Sequence, residues 1–372
     1  MLKFKNGKFK IMQIADTQEI PKVSEDTKSL LRNAIEKENP DLIIFTGDQI
    51  KGYSMKYKNR PDQVKKAIAT LLEPIDEKKI PFMVTYGNHD NQCGMSNKEQ
   101  YEIYNKYESF VSGRLRSPDD VGTSDIQIKS SDGSTNIFNL YLIDSHGKSE
   151  TGSGYAPVDK EQIEWYKERR EKLKDENGKY LPSIIFQHIP LPEYFDVIKK
   201  VPKSTKGAVV AYGAHENEWF VLHDEDIQKG GFMLESPASP DVNTGEFDAI
   251  REKGDVLGIF VGHDHNNSFV INYKGVDLGY TQGAGFNVYG PGENRGVRIF
   301  ELSEENPREY TTRTVTFKQV CGTKIKTPIQ EFVYKHAPTS PRAIKGLVIK
   351  GILGIAILTA IIVKAIGGKE NE

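Results

Sequence analysis

Five short apolar runs, each followed directly by polar residues, constrain the fold of this chain more than any other feature of its sequence. They cover residues 10–15, 41–46, 81–85, 183–187 and 255–261. They have the length and composition of strands, and the second is apolar almost throughout, as expected for a strand covered on both faces. Helical spacing follows Ser24 and covers residues 62–79. Strands that alternate with helices predict an α/β domain.

The other segments predict more helices and a series of later strands. Helices are predicted over residues 97–112, 159–175 and 245–253, and strands over 124–129, 135–144, 269–273, 276–280, 296–302 and 310–317. Residues 200–245 show little periodicity and are predicted to form long loops. The pattern indicates a mixed sheet or two packed sheets with helices outside, which is class α/β, or α+β in some schemes.

The polar clusters that end the five runs combine carboxylate, amide and imidazole groups and contain no cysteine. They are Asp16-Thr17-Gln18, Gly47-Asp48, Gly87-Asn88-His89-Asp90, His188 and Gly262-His263-Asp264-His265. In open α/β sheets ligands bind beyond the carboxyl ends of the strands, so these clusters are expected to converge. Any one of them could simply begin a turn, because Asp, Asn and Gly are common in turns. Five clusters together favour a shared binding site.

This set of side chains indicates metal ions. Oxygen and nitrogen ligands without sulfur suit Mn, Fe, Zn or Mg rather than a structural thiolate zinc site. The candidate ligands are too numerous for one ion, so two divalent or trivalent ions are predicted. A carboxylate-bridged pair of metals about 3.5–4 Å apart can activate water and neutralise both oxygens of an in-line phosphoryl displacement.

Taken in order, Asp-x-x, Gly-Asp, Gly-Asn-His-Asp, a single His and Gly-His-x-His resemble the motifs of the calcineurin-like metallophosphoesterase superfamily, over about residues 8–318. The segments Gln187–Tyr194, Ser239–Gly245 and Gly262–His265 are similar to its purple-acid-phosphatase-29-like, Dcr2-like branch. The resemblance implies a two-sheet β-sandwich flanked by helices. It also implies hydrolysis of phosphomonoesters by in-line attack of a metal-bridged hydroxide.

The resemblance further implies a role for each strand-end residue. Asp48 would bridge the two ions. One ion would be held by Asp16, Asp48 and His265, and the other by Asp48, Asn88, His188 and His263. His89, whose counterpart in the superfamily is not a ligand, would stabilise charge on the phosphoryl oxygens or protonate the leaving alkoxide. Asp90 would orient the His89 imidazole.

Position 18 departs from the usual pattern of the superfamily, which reads Asp-x-His where this chain has Asp16-Thr17-Gln18. The Gln18 amide oxygen could bind a metal directly or through water. As a neutral oxygen ligand, it predicts weaker binding of the first ion, or a more oxygen-seeking ion such as Mn or Mg. Residues 17–20 contain no tyrosine, so a purple Fe(III) enzyme is not predicted.

Three residues outside these clusters are candidates for contacts with a phosphate-ester substrate. His146 and His215 would contact substrate or support the ligands, with ordinary loop histidines as the alternative. Arg295 follows the turn Tyr289–Gly292 and could bind phosphate, although a surface arginine beside a turn is an equal alternative.

Charge and composition narrow the choice of partner. The chain has 372 residues, 50 of them basic and 52 acidic, for a net charge of −2, so no overall field indicates nucleic acid. Its two cysteines are predicted to be free thiols in a reducing compartment.

Two alternatives to a phosphomonoesterase remain. One is a phosphodiesterase acting on nucleotides or lipid head groups, and the other is a membrane-tethered metal-binding protein that lost catalysis through Gln18.

The C-terminal end predicts a membrane-associated tail. The expected organisation is a catalytic domain over residues 1–320, a linker over 321–343 and an apolar helix over 344–368. Gly351–Val363 carries no charge and would be about 20 Å long as a helix, shorter than a bilayer core of about 30 Å. Lysines at both ends can snorkel. A transmembrane span, a helix in the membrane interface and a soluble docking helix are the alternatives.

The sequence also predicts a location. No secretory signal is recognisable at the N-terminus, and residues 335–350 contain an excess of Lys and Arg. The catalytic domain is therefore predicted to lie on the cytoplasmic face of a membrane, held by the C-terminal helix. A soluble cytoplasmic protein is the alternative.

Overall fold

A computed structural model of the chain describes residues 1–150 and 154–336. The strands are β1 (Lys8–Ile14), β2 (Leu42–Thr46), β3 (Phe82–Thr85), β4 (Arg114–Leu115), β5 (Ser124–Lys129), β6 (Asn136–Ile143), β7 (Ser183–Gln187), β8 (Lys199–Lys200), β9 (Val209–Val210), β10 (Trp219–Val221), β11 (Phe232–Met233), β12 (Val256–Val261), β13 (Asn267–Tyr273), β14 (Val276–Tyr280), β15 (Gly296–Ser303) and β16 (Tyr310–Thr316). The helices are α1 (Glu25–Glu38), α2 (Pro61–Glu77), α3 (Asn97–Tyr104), α4 (Lys160–Asn177), α5 (Asp224–Gln228), α6 (Glu246–Arg251), α7 (Phe317–Cys321) and α8 (Pro328–His336).

Met1–Lys326 forms one compact unit, and the described residues from Thr327 onward belong to a second unit. Helix α8 belongs to the second unit and lies within the segment predicted as a linker. Within residues 1–150 and 154–336, no helix is both long and apolar enough to cross a bilayer. The apolar helix predicted over residues 344–368 lies outside the described residues.

The first unit contains two large sheets and one small sheet. Their strand orders are β16-β15-β1-β2-β3, β11-β13-β14-β12-β7-β6-β5-β4 and β8-β10-β9. This is the predicted mixed α/β class, with several sheets flanked by helices. The small sheet occupies part of the segment predicted as loops. Its strands have only two or three residues, too few for an alternating pattern to be visible in the sequence.

Strand β2 supplies side chains to two cores. Leu42 and Ile44 are buried in a core shared with strands of the second large sheet, whereas Ile43 and Phe45 are buried in a core that includes α1 and α2. Successive side chains of a strand point to opposite faces. The apolar composition of this strand therefore reflects burial on both sides.

Strand β12 repeats this arrangement in the second large sheet. Phe260 lies in the shared core and packs edge-to-face on Phe300, with 4.5 Å between ring centroids. Ile259 and Val261 are buried in a third core, which includes α4 and α6. Burying a large apolar side chain contributes about 1.5–3 kcal/mol. The order of layers is thus helix, sheet, sheet, helix.

Helix α3 is shorter than predicted. It begins at a capping box formed by Ser96 and Glu99 and ends at Tyr104, whereas the sequence predicted a helix to residue 112. The chain cannot continue as a helix because the backbone of Ser109 and Val111 is hydrogen-bonded to that of Phe82, at the start of β3. This tertiary pairing is not visible in local sequence.

Candidate metal centre

Asp48, directly after β2, lies at the centre of a buried polar cluster. Its Oδ1 accepts a hydrogen bond from the backbone N–H of His89 at 2.8 Å. Its Oδ2 accepts one from Gln18 Nε2 at 2.8 Å and lies 3.4 Å from His188 Nε2. Residues that follow β1, β2, β3 and β7 therefore meet at one carboxylate.

Backbone carbonyls fix the orientation of two histidines. His188 Nδ1 lies 2.9 Å from the carbonyl oxygen of Thr46, and His265 Nδ1 lies 2.9 Å from that of Tyr289. Because a carbonyl only accepts, these contacts favour a proton on each Nδ1, which leaves a lone pair on Nε2 when the ring is neutral. Hydrogen bonds of this kind commonly orient histidines that bind metals.

The Nε2 atoms of these histidines face other potential ligands. His188 Nε2 lies 3.1 Å from Asn88 Oδ1 and 3.2 Å from His263 Nδ1. His265 Nε2 lies 3.3 Å from Asp16 Oδ1. Most of these atoms are hydrogen-bond acceptors, so they cannot form hydrogen bonds with one another. Nitrogen and oxygen atoms crowded in this way suit a cation among them.

Asp16 provides the clearest sign of a metal site. Its Oδ1 is buried and has no hydrogen-bond partner among the described residues. Ligand atoms of Asp16, Asp48 and His265 all lie within 4.8 Å of one another, and all three residues are buried. Two buried carboxylates in such proximity are costly unless they bind cations. The residues present therefore fit the predicted metal centre.

Four candidate ligands have a positive backbone φ angle. The angles are 52° at Asp16, 34° at Gln18, 53° at Asp48 and 71° at His263. Residues other than glycine seldom adopt this conformation, although Asp and His do so more readily than most. Such positions are concentrated at functional sites. The strands thus end abruptly at residues that belong to the cluster.

Two glycines in the motifs make room for carboxylates from neighbouring strand ends. A Cβ atom at Gly262 would lie 2.4 Å from Asp16 Oδ2, and one at Gly87 would lie 2.2 Å from Asp48 Oδ1. Both distances are too short for any side chain, so only glycine fits. The Gly-Asn motif therefore reflects the close approach of a ligand from the adjacent strand β2, and the Gly-His motif that of a ligand from β1 in the other large sheet.

The two carboxylates create a negative field in the cluster. Burial lowers the pKa of His188, but the charges of Asp48 and Asp16 outweigh burial and raise it to about 10. Burial also lowers the pKa of His265, which Asp16 then raises above its usual value. Burial raises the pKa of Asp48, but the neighbouring His188 and His89 bring it well below its usual range. The carboxylates therefore stabilise positive charge at His188 and His265, whereas burial, followed by the charge of His188, lowers the pKa of His263 well below its usual value.

The family model for calcineurin-like phosphoesterases matches residues 9–267. The chain belongs to this family. The predicted branch is also confirmed by similar proteins. Probable inactive purple acid phosphatase 14 from Arabidopsis thaliana is 29% identical over 337 residues, covering 81% of this chain and 76% of the relative. Phosphatase DCR2 from Saccharomyces cerevisiae is 27% identical over 339 residues, covering 82% of this chain and 53% of the relative.

A solved structure supports the fold of this calcineurin-like phosphoesterase. A dimetal phosphatase from Danio rerio covers 83% of this chain and 99% of its own, with 15% identity and a TM-score of 0.51. At this identity the likeness is one of fold. It agrees with the layered arrangement of sheets and helices.

Asp90 of this phosphoesterase family member does not contact the His89 ring. Its carboxylate accepts hydrogen bonds, each of 2.8 Å, from the backbone N–H groups of Asp48, Gln49 and Gly87. His89 Nδ1 instead lies 2.8 Å from Gln92 Oε1. The expected pairing of Asp90 with His89 is therefore wrong. The buried N–H groups of two strand-end loops need an acceptor, and the Asp90 carboxylate provides it.

Gln18 presents its amide nitrogen, rather than its oxygen, to the cluster. Nε2 lies 2.8 Å from Asp48 Oδ2 and 3.2 Å from His265 Nε2. The Tyr53 hydroxyl donates to Oε1 at 3.3 Å. An amide N–H suits these acceptors but cannot bind a cation. Direct ligation by Gln18 would therefore require its amide to rotate.

We expect Gln18→His to tighten metal binding at the position shared by Asp16 and His265, because imidazole offers a lone pair where the amide offers N–H groups. The affinity for Mn²⁺ should rise by about tenfold or more, or roughly 1.4 kcal/mol. Calorimetric titration of the metal-free protein measures this change. Gln228→His, at an exposed position of α5, is the control. Equal Mn²⁺ affinities in Gln18→His and the wild type would contradict the assignment.

His146 lies close to the centre. Its Nε2 lies 3.3 Å from Asp159 Oδ2. A Cβ atom at the next residue, Gly147, would lie 3.4 Å from the Cβ of Asn88. The loop that carries His146 therefore packs against a candidate ligand, and its contact with substrate stays a prediction.

Among the described residues, no contact joins His215 to the metal cluster. Its ring stacks on Phe195 with 4.0 Å between centroids, and Nδ1 lies 2.9 Å from Glu218 Oε2. These contacts give the side chain a structural role beside the small sheet. Nothing in the geometry supports contact between His215 and a substrate.

Arg295 is fully buried, with 0% of its surface exposed. Its guanidinium donates hydrogen bonds of 2.7–3.3 Å to the carbonyl oxygens of Gly285, Val288 and Gly292. It also lies over the Phe286 ring, 4.6 Å from the centroid. The expected contact with a substrate phosphate is therefore wrong. The N–H groups of the guanidinium form the hydrogen bonds that hold residues 285–292 in place.

We expect Arg295→Met to destabilise the protein, because it leaves three carbonyl oxygens, two of them buried, without this donor. Each unpaired group costs about 1–3 kcal/mol, so the free energy of unfolding should fall by roughly 3 kcal/mol or more. Denaturation in urea measures this loss. Arg251→Met removes an exposed ion pair with Asp248 and should cost less than about 1 kcal/mol. Equal losses in the two variants would contradict the proposed role of Arg295.

Two tyrosines beside residues of the centre were missed by sequence reasoning. The Tyr53 ring lies 4.6 Å from that of His89, and the Tyr155 ring lies 4.5 Å from that of His263. Burial, followed by the Asp264 charge, raises the pKa of Tyr155 and keeps its phenol protonated. Both tyrosines lie in loops without periodicity, so only the fold places them at the centre.

Proposed function

We propose that this chain is a metal-dependent phosphomonoesterase. The observation that supports it best is the buried cluster of strand-end side chains around Asp48, in which Asp16 Oδ1 has no hydrogen-bond partner among the described residues. Two bound ions would neutralise charge on the phosphoryl group and lower the pKa of water. The similarity to phosphatase DCR2 supports this choice of reaction.

The contacts of the cluster support the ligands that the resemblance implies. Asp48 lies between the two groups of side chains and would be shared by both ions. One group is Asp16, Asp48 and His265, and the other is Asp48, Asn88, His188 and His263. Carboxylate, amide and imidazole ligands suit Mn, Fe, Zn or Mg. Gln18 would join the first group only after rotation of its amide.

His89 is proposed to assist departure of the alcohol. Its backbone N–H donates to Asp48 Oδ1, which holds the residue at the edge of the cluster. Its Nδ1 is paired with Gln92, so Nε2 is the ring nitrogen left to exchange a proton. A histidine in this position can protonate the leaving oxygen or stabilise the phosphoryl charge.

Metal content and turnover test the proposal together. The chain dialysed against Mn²⁺ is expected to retain two ions and to hydrolyse p-nitrophenyl phosphate faster than bis-p-nitrophenyl phosphate. The opposite preference would favour a phosphodiesterase acting on nucleotides or lipid head groups. Bound metal without turnover of either ester would contradict both enzymatic assignments.

One observation favours a catalytically inactive metal-binding protein as the second candidate. Gln18 directs N–H groups at Asp48 and His265, where a further metal ligand would be needed. Turnover that appears only in the Gln18→His variant would support this candidate. Turnover by the wild-type chain would contradict it.

We also propose that residues 344–368 hold the catalytic domain at the cytoplasmic face of a membrane. The apolar composition of this segment supports the proposal. The full chain is expected in the membrane fraction of a cell lysate, and a chain without residues 344–372 in the soluble fraction. Equal distribution of the two chains would contradict the anchor. Release of the full chain by alkaline carbonate would indicate an interfacial helix rather than a span.

A further inference from the structure

A small cavity, whose lining contains no residue assigned to the proposed reaction, lies between parts of Gln187–Tyr194 and Ser239–Gly245. These are two of the segments that resemble those of the branch. The space available to the centre of a water-sized sphere is about 10 Å³, roughly what one water molecule or one ion requires. Its polar lining includes Ser145, Gln187, Glu193, Asn243, Thr244 and Glu246.

Three side-chain oxygens of this cavity are buried and have no hydrogen-bond partner in the described part of the chain. They are Gln187 Oε1, Glu193 Oε2 and Glu246 Oε1. Gln187 is 1% exposed and Glu246 is 8% exposed. Gln187 Nε2 donates to the carbonyl of Ile189 at 2.8 Å, and Glu193 Oε1 accepts from Asn243 Nδ2 at 2.7 Å. These bonds hold the side chains of Gln187 and Glu193 in place, and they use neither Gln187 Oε1 nor Glu193 Oε2.

The charge of the cavity is unbalanced. Among the described residues that line it are two glutamates and no lysine or arginine. Four prolines in the lining have no backbone N–H to donate. Burial, followed by the charge of Glu193, raises the pKa of Glu246 to about 8. A proton on one glutamate could form a hydrogen bond between two of the three oxygens, but the third would still have no partner. A single cation can bind all three.

We propose that this cavity binds one hard cation of the Ca²⁺ type through Gln187, Glu193 and Glu246. A set of oxygen ligands that includes two carboxylates suits Ca²⁺ or Mg²⁺ better than softer metals. Gln187 directly precedes His188, and the N–H of Ile189 donates to Ser145 Oγ at 2.9 Å. A cation at this position would stabilise the loop that carries His188. Its role would be structural.

The test uses the full chain with its metal centre saturated with Mn²⁺. Equilibrium dialysis with radioactive Ca²⁺ should show one Ca²⁺ bound per chain while the Mn²⁺ content stays constant. Saturating Ca²⁺ should also raise the unfolding temperature. Glu246→Gln should weaken Ca²⁺ binding by about tenfold or more without loss of Mn²⁺. Asp248→Asn, an exposed position on the same helix, should bind Ca²⁺ like the wild type.

Two results would overturn the proposal. One is the absence of Ca²⁺ binding outside the Mn²⁺ centre. A higher unfolding temperature of Glu246→Gln would strengthen that result, because it would show that a proton, rather than a cation, neutralises the charge of this glutamate. The other is equal Ca²⁺ affinity in Glu246→Gln and the wild type. If Glu246→Gln does not fold, Glu193→Gln serves in its place, because it can keep the oxygen that accepts from Asn243.

Discussion

Replacing Asp48 with asparagine is expected to empty the metal centre and to abolish turnover. Both oxygens of Asp48 face the cluster, one toward the His89 N–H and the other toward Gln18 and His188. Asparagine removes a negative charge and replaces one oxygen with an amide that cannot bind a cation. The loss of Mn²⁺ affinity should exceed the roughly 10–100-fold change typical of residues that only support a ligand. Elemental analysis after dialysis measures the metal per chain.

The matched control for this experiment is Asp62→Asn. Asp62 is an exposed carboxylate in the first turn of α2, so its loss should leave the metal content unchanged. Circular dichroism would show whether both variants are folded. Full metal occupancy in folded Asp48→Asn would show that this carboxylate does not bridge the ions.

The second large effect is expected for His89→Ala, which should reduce turnover while the metal stays bound. The side chain of His89 pairs with Gln92 and packs against Tyr53, and only its backbone N–H contacts Asp48. The variant keeps that N–H. Loss of a residue that transfers a proton in the transition state typically costs about 10²–10⁴-fold in rate. Steady-state kinetics with p-nitrophenyl phosphate, together with metal analysis, measures both quantities.

The control variant is His223→Ala, because His223 is an exposed histidine that precedes α5. It should retain both turnover and metal. Loss of metal from His89→Ala would show that His89 is a ligand. Unchanged turnover would instead remove His89 from the proposed reaction.

Much of the candidate centre could be predicted because its residues occupy positions with a general structural meaning. Asp16, Asp48 and Asn88 each follow an apolar strand, and the carboxyl ends of the parallel strands β1, β2 and β3 lie along one edge of a sheet. Their convergence is therefore a consequence of the strand pattern. Gly87, which precedes Asn88, and Gly262, which precedes His263, are explained by space, because a carboxylate from another strand end lies against each of them.

The partners of buried polar groups could not be predicted in this way. Arg295 and Asp90 were given roles in chemistry, yet both satisfy buried backbone groups of nearby loops. Which carbonyl or N–H lacks a partner depends on how loops fold against each other, and no local pattern records it. The early end of α3 has the same cause, because it depends on pairing with Phe82.

The metal centre draws its side chains from both large sheets. Asp16, Asp48 and Asn88 follow β1, β2 and β3, whereas His188 and His263 follow β7 and β12. Ions bound there would cross-link the two halves of the sandwich, so their binding energy would add to the stability of the fold. Chelation should accordingly lower the temperature at which the chain unfolds. A cell short of the right ion would lose the folded protein as well as its activity, and ion supply would then set how much of it survives proteolysis.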